Sequence, residues 1–170
     1  MKKLLIILTV HFVSFSQESI FETSLPIIVI DTQNQIILDD PPIICNMGVI
    51  NNTNELNRIT DPYNDYNGKI NLEIRGRSSQ LAAKKSYRVE TVLANGENKN
   101  VSLLNLPEEN DWILHGPYID KTLARNVLAY ELYRDMGHYS SRSRYCELFI
   151  NNEYYGIYIL MEKLKRDKNR

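Results

Sequence analysis

The sequence predicts an α+β fold, an antiparallel β-rich domain with one main helix. Short apolar runs recur between turn residues along most of the chain, which is typical of strands. One segment, 120–136, has apolar residues at helical spacing instead. The 11 tyrosines, against 4 phenylalanines and 1 tryptophan, favour amphipathic strand faces. Strands come first, then the helix, then a hairpin, and this order indicates a helix packed on an antiparallel sheet.

Composition limits the possible classes of protein. The chain has 170 residues, of which 43% are hydrophobic and 24% are charged, so one domain with a real core is expected. Its 20 basic and 21 acidic side chains give a net charge of -1, and we therefore predict no nucleic-acid partner. Cys45 and Cys146 are too few for a disulfide scaffold. They form either one bridge or two buried free thiols.

The first segment, residues 1–16, is predicted to be a signal peptide. Lys2 and Lys3 precede the apolar run 4–10, and Ser14 and Ser16 stand where a signal peptidase reads small residues. The alternative is a buried N-terminal strand. We expect a secreted or cell-surface protein without a membrane anchor, because no later segment is long and apolar enough to span a bilayer.

Residues 17–68 are predicted to form a β-rich lead followed by a loop. A polar start, 17–24, precedes three short strands bounded by turn residues, at 25–30, 35–38 and 43–50. The second strand follows the first at hairpin distance. Asparagine, aspartate, glycine and proline then dominate 51–68, which predicts a long surface loop.

The second predicted unit, residues 69–170, has sharper signals. Ile70, Leu72 and Ile74 alternate with polar residues, as in a half-buried strand. Further strands are predicted at 86–93, 101–106 and 112–114. Between the first two of these, Asn95 and Gly96 form a tight-turn dipeptide.

The helix is predicted over 120–136, with Asp120 as N-cap and Gly137 as the stop. Its core-facing stripe is expected to be Ala124, Leu128, Leu132 and Met136, with Leu123 and Val127 on the adjoining stripe. Two strands follow, 145–150 and 154–161. Asn151 and Asn152 between them suit a hairpin turn, because asparagine tolerates the left-handed backbone.

The turn after strand 70–75 is the first candidate site. Gly76, Ser78 and Ser79 offer backbone N–H groups and hydroxyls, and Lys84 and Lys85 follow as mobile positive charges. Such a turn suits phosphate. The alternative is an ordinary turn, because it contains one glycine and matches no multi-glycine phosphate loop.

The helix supplies two further candidates. Glu131 lies beside the apolar stripe, where a carboxylate needs a partner. A strand lysine would pair with it, whereas the alternative is a rim position or a local pair with Arg134. Arg125 would reach a phosphate or form a surface ion pair. His115 and His138 have no paired ligand spacing, so no metal site is predicted.

Several of these segments, taken together, resemble the CotH family of spore-coat-type secreted kinases, which are related to atypical protein kinases. The resemblance extends over roughly residues 25 to 170 and depends on several motifs in one order. The matching stretches are 74–80 (IRGRSSQ), 84–87 (KKSY), 109–114 (ENDWIL), 120–121, 125–128 (RNVL), 135–137, 147–151 (ELFIN), 155–156 and 160–163 (LMEK).

The resemblance implies binding of ATP, a divalent metal such as Mg²⁺, and phosphorylation of secreted or surface proteins. It also implies that 69–170 resembles a protein-kinase small lobe, with helix 120–136 as the regulatory helix and Met161 and Glu162 at a hinge. Either Lys84 or Lys85 would contact phosphate. The nucleotide-binding residues expected on this basis are Gly76, Ser78, Ser79, Lys84, Lys85, Arg125, Glu131, Met161 and Glu162.

The same resemblance implies that the chain is truncated before the large lobe. The metal-binding and catalytic aspartates of a kinase lie in that lobe, so this piece is expected to be inactive alone. The alternative is a non-catalytic secreted binding or structural module. Its contacts would be exposed tyrosines, namely Tyr63, Tyr66, Tyr139, Tyr154 and Tyr155.

Overall fold

The structure is a computed structural model that describes residues 20–165; the predicted signal peptide lies outside them. The strands are β1 (Glu22–Thr23), β2 (Ile27–Asp31), β3 (Ile43–Ile50), β4 (Asn57–Arg58), β5 (Tyr66–Arg75), β6 (Ser86–Val92), β7 (Asp111–His115), β8 (Ser143–Ile150) and β9 (Glu153–Glu162). A 3-10 helix (Ser78–Leu81) lies between β5 and β6, and the α-helix α1 (Arg125–Asp135) lies between β7 and β8.

Seven strands of the described chain close into a barrel in the order β2-β3-β5-β6-β7-β9-β8. Neighbours are antiparallel except β2 and β8, which pair in parallel with Ile27 opposite Glu147. This last pairing closes the barrel and leaves neither β2 nor β8 with a free edge. Strands β1 and β4 form a separate two-stranded sheet.

The main core fills the barrel interior. Alternate residues of each strand point inward, among them Leu72 on β5, Trp112 on β7 and Leu160 on β9. Cys45 and Cys146 lie in this core as free thiols. Strands predicted at 25–30, 43–50, 70–75, 86–93 and 112–114 are confirmed within a few residues.

Two predicted strands are wrong. Residues 35–38 run as an irregular segment, because β2 already pairs with β3 on one side and β8 on the other. Residues 101–106 make one isolated bridge, Val101 to Glu109. Leu104 and Asn105 have φ angles of 51° and 59°, which turn the chain away from a strand. Their apolar neighbours Leu103 and Leu106 fill the core instead.

The final hairpin is confirmed, and its turn has the predicted chemistry. Asn151 and Asn152 join β8 to β9 with φ angles of 51° and 66°. Both residues therefore occupy the left-handed region that a two-residue hairpin turn requires.

Helix α1 begins five residues later than predicted and packs on the outside of the barrel. Leu123 has φ 56°, so the backbone between Asp120 and Arg125 is not yet helical. Val127 and Tyr130 contact an outer cluster of Ile113, Ile159 and Met161. The predicted main stripe is wrong, because Leu128, Leu132 and Met136 are 55%, 54% and 71% exposed. Val127, predicted on the adjoining stripe, lies on the covered face.

The prediction of an α+β domain resembling a kinase small lobe is also wrong. The described chain is mostly β, with a closed barrel and one short α-helix. The reason lies in the barrel closure: the strands bury their apolar faces against one another, so the helix covers only part of the outer wall. No helix within residues 20–165 has the length and apolar character to cross a membrane.

Candidate functional site

The strand register brings three chain segments to one rim of the barrel. Arg75 ends β5 and lies opposite Ser86, which begins β6. Tyr87 lies opposite Leu114, so His115, the last residue of β7, stands next to Ser86 at the same rim. The turn between β5 and β6 and the loop from β7 to α1 therefore extend from the same end of the barrel.

A cleft of about 270 Å³ opens between these two connections. Three cationic side chains line it, Arg75, Lys84 and Arg125, together with one carboxylate, Asp120. The other lining residues are Ser79, Ala82, Ser86, His115, Gly116, Pro117, Tyr118, Ile119 and Asn126. We call this the cationic cleft.

The turn that forms one wall of the cationic cleft depends on a glycine. Gly76 has φ 121°, and a Cβ at this position would overlap the hydroxyl of Ser79. The Gln80 side chain closes the turn by donating to the Gly76 carbonyl at 2.7 Å. Ser78 begins the short 3-10 helix that follows.

Lys85 stabilises this turn from within. Its ammonium donates to the carbonyl oxygens of Gln80 at 2.5 Å and Ala82 at 2.9 Å. Its side chain does not line the cationic cleft among the described residues. Lys84 and Lys85 therefore have different surroundings.

Lys84 is held against the barrel wall. Its ammonium donates to the carbonyl oxygen of Ile157 at 2.6 Å and lies 4.4 Å from the ring centroid of Tyr158. Burial lowers the pKa of Lys84, although the negative charge of Glu147 acts in the opposite direction. The Tyr158 hydroxyl donates to the Lys85 carbonyl at 2.9 Å, which fixes the ring beneath the lysine.

His115 connects the barrel to the helix. Its Nδ1 lies 3.4 Å from the Ser86 hydroxyl, and its Nε2 lies 3.2 Å from the side-chain nitrogen of Asn126. The backbone N–H of Gly116 donates to the same Ser86 hydroxyl at 3.0 Å. Burial and the positive charge of Arg75 lower the pKa of His115, which favours the neutral ring.

Asp120 organises the start of the helix. One of its oxygens accepts hydrogen bonds from the N–H and hydroxyl of Thr122, and the other accepts from the N–H of Arg125 at 2.9 Å. The Thr122 hydroxyl contributes most to lowering the pKa of Asp120. The Arg125 side chain lies 3.5 Å from the same carboxylate and is 77% exposed. Its guanidinium is therefore accessible to an anion in the cleft.

A second, smaller cleft of about 190 Å³ adjoins the first, with Arg75 lining both. Its apolar lining includes Ile113, Tyr130, Met161 and Leu164; Ser141, Glu162 and Lys163 complete it. The buried Glu162 carboxylate accepts hydrogen bonds from Arg142, at 2.9 Å from its N–H and 3.0 Å from its guanidinium. We call this the apolar cleft.

The structure thus divides the residues proposed from sequence. Ser79, Lys84 and Arg125 meet in the cationic cleft, Met161 and Glu162 line the apolar cleft, and Gly76 and Ser78 shape the turn. Glu131 points elsewhere: its side chain is 56% exposed and lies 3.9 Å from Arg134. The pair between Glu131 and a strand lysine does not form among residues 20–165, and the alternative, an exposed position with a local pair to Arg134, is the one found.

Sequence reasoning missed Ser86, His115 and Asn126 as members of one site. A usable signal was present, because adjacent antiparallel strands place the end of one beside the start of the next. His115 was considered only as a metal ligand. No group of three or more His, Cys, Asp or Glu side chains that could hold a metal ion occurs within the described residues.

The comparisons with known proteins identify one relationship. A family model described as CotH kinase protein matches residues 72–170. Every residue that lines the cationic or the apolar cleft lies within this matched span. A search of curated proteins found no match.

Proposed function

The chain belongs to the CotH kinase protein family, and from this premise we propose that its cationic cleft binds the polyphosphate of ATP. The observation that carries the proposal is the convergence of Arg75, Lys84 and Arg125 on one cleft. Among residues 20–165, Asp120 is the one carboxylate lining that cleft, and it is already engaged with Thr122 and the start of the helix. A net positive charge therefore faces a bound anion.

The size of the cleft fits the polyphosphate rather than the whole nucleotide. Its volume of about 270 Å³ is smaller than the roughly 300–1,000 Å³ of sites that enclose drug-sized ligands. The apolar cleft adjoins it through Arg75 and offers Tyr130, Ile113 and Met161 as an apolar surface. We assign the base to this surface, since aromatic and aliphatic side chains favour contact with a π-face.

The reaction that we propose for the whole protein is transfer of the γ-phosphoryl group of ATP to a hydroxyl of a secreted or surface protein. A bond forms between the acceptor oxygen and the γ-phosphorus, and the bond from the γ-phosphorus to the β–γ bridging oxygen breaks. ADP leaves with the electron pair of that bond, and the proton of the acceptor hydroxyl passes to solvent. Such transfer also needs a divalent metal and a group that orients the acceptor hydroxyl. We assign neither role to residues 20–165, and we propose that other parts of a longer protein supply them.

Export is part of the same proposal. The basic and apolar pattern of residues 1–16 supports a signal peptide and hence an exported protein.

A binding experiment with two neighbouring lysines tests the proposal. Calorimetric titration of the chain with ATP and with inorganic tripolyphosphate is compared for wild type, Lys84→Met and Lys85→Met. We expect Lys84→Met to weaken binding of both ligands at least about tenfold, since a charge-assisted hydrogen bond is worth roughly 1.5–3 kcal/mol. Lys85→Met should weaken binding less than Lys84→Met, because Lys85 does not line the cleft, and it should lower the melting temperature, because Lys85 stabilises the turn.

Lys85→Met is therefore the control for the loss of a neighbouring lysine charge in Lys84→Met. Equal losses of affinity in both variants, or no binding of either ligand to wild type, would contradict the proposal. Transfer of radiolabel from ATP to exported proteins, measured with the longest natural form of the protein, then tests the reaction itself.

A non-catalytic binding module is the second candidate, supported by exposed aromatic side chains. Tyr63, Tyr139, Tyr154 and Tyr155 are 42%, 37%, 51% and 39% exposed, whereas Tyr66 is buried and donates to the Lys69 carbonyl. The prediction of Tyr66 as an exposed contact of such a module is therefore wrong. Failure of the chain to bind ATP, together with retention on a protein or glycan array that Tyr154→Ala abolishes, would favour this candidate.

A further inference from the structure

His115 occupies a central position in the cationic cleft that the proposed binding of phosphate does not explain. It bridges two elements, with Ser86 of β6 on one side and Asn126 of α1 on the other. All three side chains line the cleft. A change in the ring is therefore transmitted directly to two groups that face the ligand.

The hydrogen bonds define the protonation state of this trio. The side-chain nitrogen of Asn126 can only donate, so the Nε2 atom of His115 accepts and carries no proton. In the neutral ring the proton is then on Nδ1 and is donated to the Ser86 hydroxyl oxygen. That oxygen also accepts the N–H of Gly116, which leaves the Ser86 hydroxyl proton available as a donor.

Protonation of the ring reverses one of these contacts. A proton on Nε2 needs an acceptor, and the Asn126 amide provides one by turning its oxygen toward the ring. The same rotation places the amide NH₂ group where the oxygen was. The cleft therefore gains a positive charge on the His115 ring, which favours an anion.

We propose that His115 is a positioning residue of the cationic cleft, and that its ring takes up a proton when a polyphosphate binds there. The inference rests on the proposed function of the cleft. It adds that the affinity for the anion increases when His115 is protonated. His115 acts through Asn126 and Ser86, which it orients.

The charged groups around the ring support this coupling. Burial disfavours the protonated ring most, Arg75 on β5 adds to this, and Asp120 favours the protonated ring. Lys84 and Arg125 line the same cleft. A bound polyphosphate offsets the positive charge of Arg75, so the repulsion between Arg75 and the protonated ring weakens, while burial continues to disfavour protonation. By linkage, the anion then binds more tightly to the protonated protein.

The direct test is an NMR titration of the histidine ring signals of the full chain, with and without inorganic tripolyphosphate. We expect the pKa of His115 to rise by at least about one unit on binding. Linkage then makes affinity about tenfold tighter near pH 5.5 than near pH 8. His138, stacked on Tyr133 at 4.6 Å, does not line the cleft and serves as the internal reference.

Two variants separate positioning from a purely structural role. The affinity for tripolyphosphate depends on pH both because the ligand titrates and because His115 titrates. His115→Gln should remove the contribution of His115 and leave that of the ligand. Asn126→Asp should raise the pKa of His115 in the free protein while weakening tripolyphosphate binding, because the carboxylate favours the imidazolium and repels the anion.

The proton uptake by His115 and the proposed binding of polyphosphate are overturned by different results. Binding of tripolyphosphate that leaves the pKa of His115 unchanged, with His115→Gln weakening it equally at both pH values, would overturn the inference alone. No binding of tripolyphosphate at any pH would overturn the proposed function and the inference with it.

Discussion

The ammonium nitrogen of Lys84 lies 4.4 Å from the ring centroid of Tyr158, in a cation–π arrangement inside the rim of the barrel. Two glycines leave room for this lysine. A Cβ at Gly156 would stand 3.3 Å from its ammonium nitrogen, and a Cβ at Gly116 would stand 3.1 Å from its Cγ. The position of Lys84 is therefore determined by the absence of two side chains as well as by its hydrogen bond.

Substitution of Gly156 by alanine should displace Lys84. Gly156 has φ 84°, so the change costs roughly 1–2 kcal/mol of backbone strain. The added Cβ also crowds the ammonium against the Ile157 carbonyl. We expect lower stability to urea and about threefold or greater loss of tripolyphosphate affinity, as for a displaced cation–π contact.

Gly137→Ala is the matched control. Gly137 has φ 86°, and an added Cβ there would meet nothing within 4 Å. It should show a similar loss of stability with unchanged tripolyphosphate affinity. Equal effects of the two substitutions on affinity would show that the position of Lys84 is unimportant for the anion.

The packing of helix α1 gives a second prediction. Val127 packs beneath the helix against the outer cluster of Ile113, Ile159 and Met161, whereas Leu128 is 55% exposed. Val127→Ala should lower the free energy of unfolding by about 1 kcal/mol, and Leu128→Ala should change it by less than about 0.5 kcal/mol. Urea denaturation followed by circular dichroism measures both.

The sequence alone favours the opposite result. Ala124, Leu128, Leu132 and Met136 repeat every four residues, so Leu128 would be core and its loss the larger. If Leu128→Ala proved the more destabilising change, the packing of α1 seen here would be wrong.

This helix shows where sequence reasoning succeeds and where it stops. Local signals identified the strands from 70 to 92 and the Asn151–Asn152 turn, because alternation and left-handed backbone preferences act within a few residues. Which face of α1 is buried depends on Ile113 and Ile159, which point outward from the barrel. The alternation of apolar residues along a strand does not show which element covers its outward-facing side chains. Periodicity specifies a spacing on a helix but not which surface covers it.

The candidate site was predictable to a similar degree. The turn with Gly76 and the two lysines was recognisable from residue types, but the difference between Lys84 and Lys85 depends on β9, which supplies the Ile157 carbonyl. The parallel pairing of β2 with β8 that closes the barrel joins distant parts of the chain and leaves no local pattern. The fold class was therefore the weakest prediction.

A charged cluster on the barrel predicts how stability depends on pH. The Asp111 carboxylate accepts hydrogen bonds from Lys163 at 3.1 Å and Lys165 at 2.7 Å, and Arg88, Glu90 and Glu109 surround them. Burial alone would raise the pKa of Asp111, but the two lysines outweigh it and hold this pKa far below its ordinary value.

A depressed folded-state pKa stabilises the fold above the unfolded-state pKa. This contribution is complete above about pH 4 and is lost as the pH falls further. We expect urea midpoints of wild type to drop steadily below about pH 4, and those of Asp111→Asn to start lower and drop less. Glu97→Gln, in an exposed turn outside the cluster, should follow wild type. Parallel curves for all three proteins would exclude Asp111 as the cause.

The two cysteines give the last prediction. Cys45 and Cys146 are 3% and 0% exposed, and both are free thiols in the barrel core. Burial raises the pKa of each to about 12, with Asp31 adding to the effect at Cys45. Since the thiolate is the reactive form, both should resist a disulfide reagent near pH 8 in the folded protein and react at once in guanidinium.

Between the fully folded and the fully unfolded protein, the rate of thiol labelling at increasing urea should follow the fraction unfolded measured by circular dichroism. The reason is that both thiols lie in one cooperative core. Labelling Cys45→Ala and Cys146→Ala in the same way follows one thiol at a time. The two variants show whether both thiols become exposed in the same unfolding transition. Rapid labelling of either thiol in the native protein would place it outside the core. Labelling of neither thiol in guanidinium would show that the two are joined in a disulfide, contrary to the structure.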